Sequence, residues 1–579
     1  MVKKYPLYFL NFLLILIAII LYLATFLNHE LMKNIFSYSG YYFILLLIFI
    51  WLITLLECLH QYKTNLRLFF KSYAIGLIAC LILSVVIFVS VKSDFRILSD
   101  ETNILANSKS MLYERRPDNV TMGNYYYDMF FPIKRNLPKR PLLFPFFAQI
   151  LHLLTGYRPE NVYALNFIVL FSLFSLIYIL VKRRLGSVWA FSAVLLVAGQ
   201  PVISQAATSG GFDLMSSLFL VVCFASLQWF LKERSAISFQ LLWLNLLMLS
   251  NVRYEGIMFF AIVIAFLVLL KYINIDIFKK GMTPVYFCTP AILLPVFWQR
   301  FLMFLKPDQF ETAGEVAAFS VGNFIKNSTI FFKTFFDYNF YLPYATIVNF
   351  LGLLSLFYFG TLLLSGRLIK AGYQKHLIII SFICILANWF LYIPYHAAIM
   401  DHPADSRFFI IFCIMFSMLA IFLLNRFNFF SRRPGRALVF SVLIFVLYHP
   451  VSVQDRFSRS MTLPRQYRFV INFLKEASTH NHNFLVIAEM PGQYTVHNYG
   501  TVDFKYANKS NSVKDMYNNH VYNDIFVVQE ISYETLAPIE GTMLDDNYAL
   551  EKIIELMNKE GSFTRISKVV SVAENKKVE

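Results

Sequence analysis

The sequence predicts a polytopic α-helical membrane protein of about thirteen spans, with a small α/β domain at its C-terminal end. Three observations carry this. Of 579 residues, 58% are hydrophobic and only 15% charged, where soluble domains carry about 25% charged residues. The mean hydropathy is +0.57. The apolar residues gather in runs of about 17–24, the length a helix needs to cross some 30 Å of hydrocarbon.

The runs fall near 6–28, 40–60, 72–92, 161–181, 187–206, 212–231, 236–251, 255–271, 283–304, 342–365, 376–395, 407–424 and 437–451. The run 142–154, LLFPFFAQILHLL, is too short to span and is expected to lie along the interface. The first run lacks a small-residue cleavage site and is expected to act as an uncleaved anchor.

Every second loop is basic: Lys3 and Lys4; Lys63, Arg67 and Lys71; Lys182, Arg183 and Arg184; Lys232 and Arg234; Lys271, Lys279 and Lys280; Arg367, Lys370 and Lys375; Arg426, Arg432, Arg433 and Arg436. Short basic loops stay cytoplasmic, so the alternation predicts N-in, C-out. These loops can account for the net charge of +16. The basic balance therefore reports topology and gives no reason to expect nucleic acid as a partner.

Residues 453–579 change composition. RQYRFVINFLKEA has helical spacing, while NFLVIAEM and HVYNDIFVVQEI read as strands of an extracytoplasmic α/β domain. All six cysteines lie in apolar runs, which suits packing rather than disulfide bonding. Two sequons, Asn119-Val120-Thr121 and Asn327-Ser328-Thr329, are short enough to arise by chance, and the terminal Lys576-Lys577 would face away from the cytosol.

Topology gathers the chemistry on the outer side. A first outer loop near 93–160 opens with Asp100 and Glu101 and continues through YERRPD, NYYYD (which includes Tyr126) and KRNLPKR (which includes Lys139 and Arg140). Later outer turns are QAATSGGFD, ending on Asp213; SNVRYEG, with Arg253 and Glu255; and YHAAIMDHPADSRFF, with Arg407. Ionisable groups at membrane depth are costly and are found mainly around polar cavities. Each also has a plain reading: Asp213 is placed to cap its helix, the tyrosines suit an interfacial belt, and the His396–Asp405 stretch matches no established metal spacing.

In order, SDETNILANSKSML, KRPLLFPFFAQILHLLTGY, TSGGFDLM, NVRYEG and DSRFF resemble elements of the GT-C superfamily of integral membrane glycosyltransferases, in particular the protein O-mannosyltransferase and lipid A aminoarabinose transferase branch. The resemblance covers roughly 90–260 well and 376–424 loosely. It departs at Lys139-Arg140, where the family often has His-Pro, and in two helices before the acidic loop, which make 1–71 an added hairpin ahead of a catalytic domain over 72–452.

The resemblance implies inverting transfer of a sugar from a polyprenyl-phosphate carrier to a hydroxyl of a lipid, glycan or protein acceptor. It places the site on the outer face of a bilayer, taken as the periplasmic face of a bacterial inner membrane. Asp100 is then the general base, with Glu101 and Asp213 in the catalytic group; Arg253, Arg407, Lys139 and Arg140 are the candidate phosphate binders; Glu255 and Tyr126 orient the acceptor. A divalent cation held by Asp100 and Asp213 is compatible with the family but not required by it. The alternative is a lipid or small-molecule transporter. It fits less well, because transporters keep ionisable groups near the midplane on repeated, broken helices, whereas here they gather at the outer mouths.

Overall fold

The computed structural model describes residues 5–61, 66–126, 129–273, 283–305, 319–339, 342–365, 372–449, 462–480, 483–509, 511–558 and 561–573. The basic-loop residues Lys3, Lys4, Lys63, Lys279, Lys280, Arg367 and Lys370 lie outside them. The chain divides into two compact units: 1–93, 139–147 and 163–455 form one, and 94–138, 148–162 and 456–579 the other.

The first unit is helical. Among the described residues six helices are long and apolar enough to cross a membrane: His29–Gln61, Arg67–Ser90, Asn161–Leu185, Asp213–Glu233, Gly372–Tyr392 and Asp405–Arg426. A bent pair makes a seventh if counted as one span. Helix forms in all thirteen apolar runs, but the structure does not support thirteen as the number of spans, since several of these helices are only 14–17 residues long.

The run 187–206 is not one continuous helix. It breaks into Ser187–Ala198 and Pro201–Ala207, bent by 76°. Pro201, with no N–H to continue the preceding helix, is well placed to start the second. At the break the Gln200 side chain accepts from the Ala345 N–H at 2.8 Å and donates to Asn349 Oδ1 at 3.1 Å, satisfying groups that lipid cannot.

Polar pairs also join helices that apolar contact alone would leave free to slide. Trp51 Nε1 donates to Asn245 Oδ1 at 2.8 Å and Gln240 Nε2 to Thr54 Oγ1 at 2.7 Å, tying His29–Gln61 to Ala236–Val252.

The second unit is built on one seven-stranded sheet. Its strands are β1 (Asn119–Tyr126), β2 (Met129–Asn136), β3 (Phe484–Ala488), β4 (Gly500–Val502), β5 (Asp524–Ser532), β6 (Tyr548–Met557) and β7 (Ser562–Val572), in the order β2-β1-β4-β3-β5-β7-β6. The central strand β3 pairs in parallel with β4 and β5, and the other pairs are antiparallel. All five residues of β3, FLVIA, are buried, as a strand covered on both faces requires.

The helix foreseen in RQYRFVINFLKEA is Thr462–His480, and the two foreseen strands are β3 and β5. The hairpin β1–β2 was not foreseen. It comes from the outer loop, and Gly123 pairs with Thr501 of β4, so the acidic loop folds with the terminal segment rather than with the helices. Arg468 Nη1 pairs with the buried Asp94 at 3.0 Å and fixes the start of that loop within the same unit.

Candidate functional site

The richest cluster of charge in the helical unit forms around Asp213. Asn166 Nδ2, fully buried, donates to the carbonyls of Ser209 at 2.7 Å and Gly211 at 2.8 Å, which shapes the Ser-Gly-Gly turn before the helix Asp213–Glu233. Asp213 is the first residue of that helix, where negative charge is favoured by the exposed N–H groups. It is not the helix cap: the cap position is Phe212, and the Asp213 carboxylate turns to two arginines.

Arg253 Nη1 donates to Asp213 Oδ1 at 2.6 Å, and Arg253 Nε to Glu255 Oε2 at 3.2 Å. Both come from the sharp reversal between Ala236–Val252 and Gly256–Leu269. Gly256 makes that reversal possible: a Cβ there would lie 2.4 Å from the Ser250 backbone nitrogen. Tyr392 Oη, from the end of Gly372–Tyr392, donates to Glu255 Oε1 at 2.5 Å. The Arg253 guanidinium also lies 5.3–5.5 Å from the ring centres of Phe212, Tyr392 and Phe408, a cation–π setting that favours its charge.

Arg407 approaches the same carboxylate from another element. It stands in the 3-10 turn Asp405–Phe409 ahead of Ile410–Arg426, with Nη1 at 3.8 Å from Asp213 Oδ2 and its guanidinium 5.0 Å from the Phe408 ring centre. A small space of about 30 Å³, enough for a single water, is lined by Asp213, Arg253, Glu255, Asn388, Tyr392 and Arg407.

Lys139 and Arg140 belong to the same unit. Their backbone carbonyls accept from Tyr254 Oη and from Gln299 Nε2, the latter at 2.7 Å. Since Tyr254 lies between Arg253 and Glu255 in sequence, the 139–140 backbone is brought beside that turn. Arg300, not among the residues singled out from the sequence, lies 4.6 Å from the Tyr254 ring centre.

Asp100 and Glu101 lie in the other unit, in the first turn of the helix Leu98–Glu114. Glu101 is buried and its Oε2 accepts from the Arg96 N–H at 2.7 Å, a local helix-starting bond. Asp100 is half-buried. Tyr126 ends β1, and its side chain lies outside the described residues.

Among the described residues no three His, Cys, Asp or Glu side chains converge as metal ligands. Both oxygens of Asp213 face guanidinium groups, so this donor set does not fit a divalent cation. In the loop before Arg407, His402 Nδ1 meets Asp405 Oδ2 at 3.0 Å, and that bond raises the imidazole pKa. Both sequon asparagines are buried and engaged: Asn119 donates to Asn103 Oδ1 at 2.7 Å, and Asn327 to the carbonyls of Ile393 and Tyr395, each at 2.9 Å.

Sequence reasoning found Asp213, Arg253, Glu255 and Arg407 individually. It missed Tyr392 and Asn166, which sit inside apolar runs and carry no local signal.

A many-helix unit joined in one chain to a mixed-sheet unit is a fold already seen among solved structures. In particular, the structure matches ArnT from Cupriavidus metallidurans in the apo state, with a TM-score of 0.53 and 10% identity over 86% of this chain and 98% of that one. It matches ArnT bound to undecaprenyl phosphate equally well, over 87% and 99%. The arabinosyltransferase EmbB from Mycobacterium smegmatis matches at a TM-score of 0.36 and 10% identity, over 63% of this chain and 30% of that one, too low to carry an argument. No protein-family model and no curated protein matches the sequence.

Proposed function

We propose that this chain is a glycosyltransferase that moves a sugar from a polyprenyl-phosphate carrier to an acceptor hydroxyl, inverting the anomeric carbon, on the outer face of a bacterial inner membrane. The observation that carries the reading is a fold shared along nearly the whole length of ArnT, a protein whose structure has been solved bound to undecaprenyl phosphate. The arginine cluster at Asp213 adds chemical support.

In this reaction the acceptor oxygen bonds to the anomeric carbon as the bond from that carbon to the phosphate oxygen breaks. The electron pair leaves with the lipid phosphate, and the acceptor's proton passes to Asp100 as general base. A leaving phosphate gains charge that a guanidinium stabilises through paired hydrogen bonds. Arg407 is the better candidate for that contact. Arg253 bridges Asp213 and Glu255 and holds the site in shape, while Arg407 borders the same small space from the turn that opens the apolar helix Ile410–Arg426. Glu255 and Tyr392 fix Arg253, and Lys139 and Arg140 are the secondary candidate cations. No step runs through a metal.

The test is single-turnover transfer in detergent from a polyprenyl-phosphate sugar. Asp100→Asn keeps the shape of the side chain and removes the base, so transfer falls by about a hundred- to ten-thousand-fold while folding is retained. Near-normal turnover in the variant overturns the role of Asp100. A wild-type protein that transfers no sugar from any such donor overturns the function.

A further inference from the structure

The sheet-bearing unit contains a cleft of about 1230 Å³, above the roughly 300–1,000 Å³ typical of small-molecule pockets. Its size suits a chain of linked units better than one small molecule. One wall is the helix Leu98–Glu114, another is the β1–β2 hairpin, and residues 495–500 and 519–522 complete it.

The lining alternates aromatic rings with neutral polar groups. Tyr113 stands at the rim, 64% exposed. Tyr125 and Phe130 have ring centres 5.0 Å apart, and Phe484 and Tyr499 5.1 Å apart. Asn498 and Asn519 present exposed amides.

The main charges in the wall are already committed. Lys109 Nζ donates to the Thr495 carbonyl at 2.9 Å and lies 5.1 and 5.3 Å from the ring centres of Phe130 and Tyr157. Burial brings its pKa down to about 7. Both Glu114 oxygens accept from Arg135 Nη2, at 2.8 and 2.7 Å. His497 meets the Tyr467 hydroxyl, and burial, helped by Lys475 and Lys109, lowers its pKa to about 3 and keeps it neutral.

Flat apolar faces suit the C–H faces of a sugar ring, and amides that can both donate and accept suit its hydroxyls. An anionic ligand would need a cation that the wall is not already using. We propose that this cleft binds a neutral oligosaccharide chain several sugar rings long. It shares no residue with the Asp213 cluster, and the proposal holds whether or not the protein transfers sugar.

The experiment is isothermal titration of the full-length protein in lipid nanodiscs with mannotetraose, cellotetraose and chitotetraose, and with tetragalacturonate as the charged comparison. At least one neutral tetrasaccharide is expected to bind saturably. Tyr113→Ala and Asn519→Ala, both at exposed positions, should each weaken binding by about tenfold, equivalent to about 1.4 kcal/mol, with the unfolding transition of each variant measured alongside. Tyr533→Ala, an exposed aromatic outside the cleft, should leave binding unchanged. The proposal is overturned if none of the neutral sugars binds saturably, if both cleft variants bind like the wild type, or if tetragalacturonate binds tighter than every neutral sugar.

Discussion

Replacing Arg253 with methionine keeps the length of the side chain and removes its charge. Arg253 is 11% exposed, and its partners Asp213 and Glu255 are 7% and 16% exposed. After the change Asp213 keeps Arg407 at 3.8 Å, while Glu255 keeps the hydrogen bond from the Tyr392 hydroxyl. Removing one partner of a buried ion pair strands the other and costs about 3–5 kcal/mol. Arg253→Met is therefore expected to lose about that much stability. The double variant Arg253→Met/Glu255→Gln, which removes one stranded charge, should recover about 1 kcal/mol or more of it. The assay is reversible unfolding by SDS titration in mixed micelles of fixed lipid content, with refolding of each variant checked. Wild-type stability in Arg253→Met would refute the assignment of Arg253 as the cluster's structural cation. So would a double variant whose loss equals the sum of the two singles, because the residues would then not be coupled.

Other outcomes follow from the same geometry. Arg407→Lys keeps the charge but loses the two-pronged contact, so the donor KM should rise about tenfold, with Arg407→Ala worse; equal kinetics for wild type and Arg407→Lys would make Arg407 a membrane anchor instead. Burial lowers the His152 pKa from 6.5 to about 4, and the ring bonds Ser108 and Asn161. Between those values the unfolded chain binds the extra proton, so stability falls as pH drops from about 6.5 to 4, by up to about 1.4 kcal/mol per pH unit. Unfolding free energies at pH 7, 6, 5 and 4 should show a shallower decline for His152→Gln than for the wild type, and identical slopes would contradict this account. For topology, Glu540→Cys is expected to react with a membrane-impermeant maleimide in right-side-out vesicles, while labelling only in inverted vesicles would reverse the orientation.

The helices were legible because lipid leaves the chain little choice. A segment that crosses hydrocarbon must be apolar and must satisfy its own backbone, so helices appear in every apolar run. The break at 199–201 was not legible, because Gly199, Gln200 and Pro201 interrupt a run whose mean hydropathy stays high. Its cause is tertiary: Gln200 reaches Ala345 and Asn349. The outer hairpin was hidden for a related reason. NVTMGNYY and MFFPIKRN become strands by pairing with each other and with β4, near the other end of the chain, and a local window sees only polar and aromatic residues.

The site was half legible. Ionisable residues stand out against an apolar background, which is why Asp213, Arg253, Glu255 and Arg407 could be found one at a time. Their partnerships could not be read, and partnership is what divides their roles. Arg253 and Arg407 are equivalent in sequence terms, each following a polar turn at the mouth of an apolar helix. In the structure one guanidinium bridges the buried Asp213 and the partly buried Glu255 within 5.5 Å of three aromatic ring centres, and the other lies 3.8 Å from Asp213. A cation held that tightly has little to gain from a phosphate, since the incoming ligand would have to displace carboxylates that already neutralise it. Glu101 is buried and accepts from the Arg96 N–H at the start of its helix, while Asp100 beside it is half-buried. Groups that look alike in the sequence are thus told apart by burial and geometry that only the fold creates.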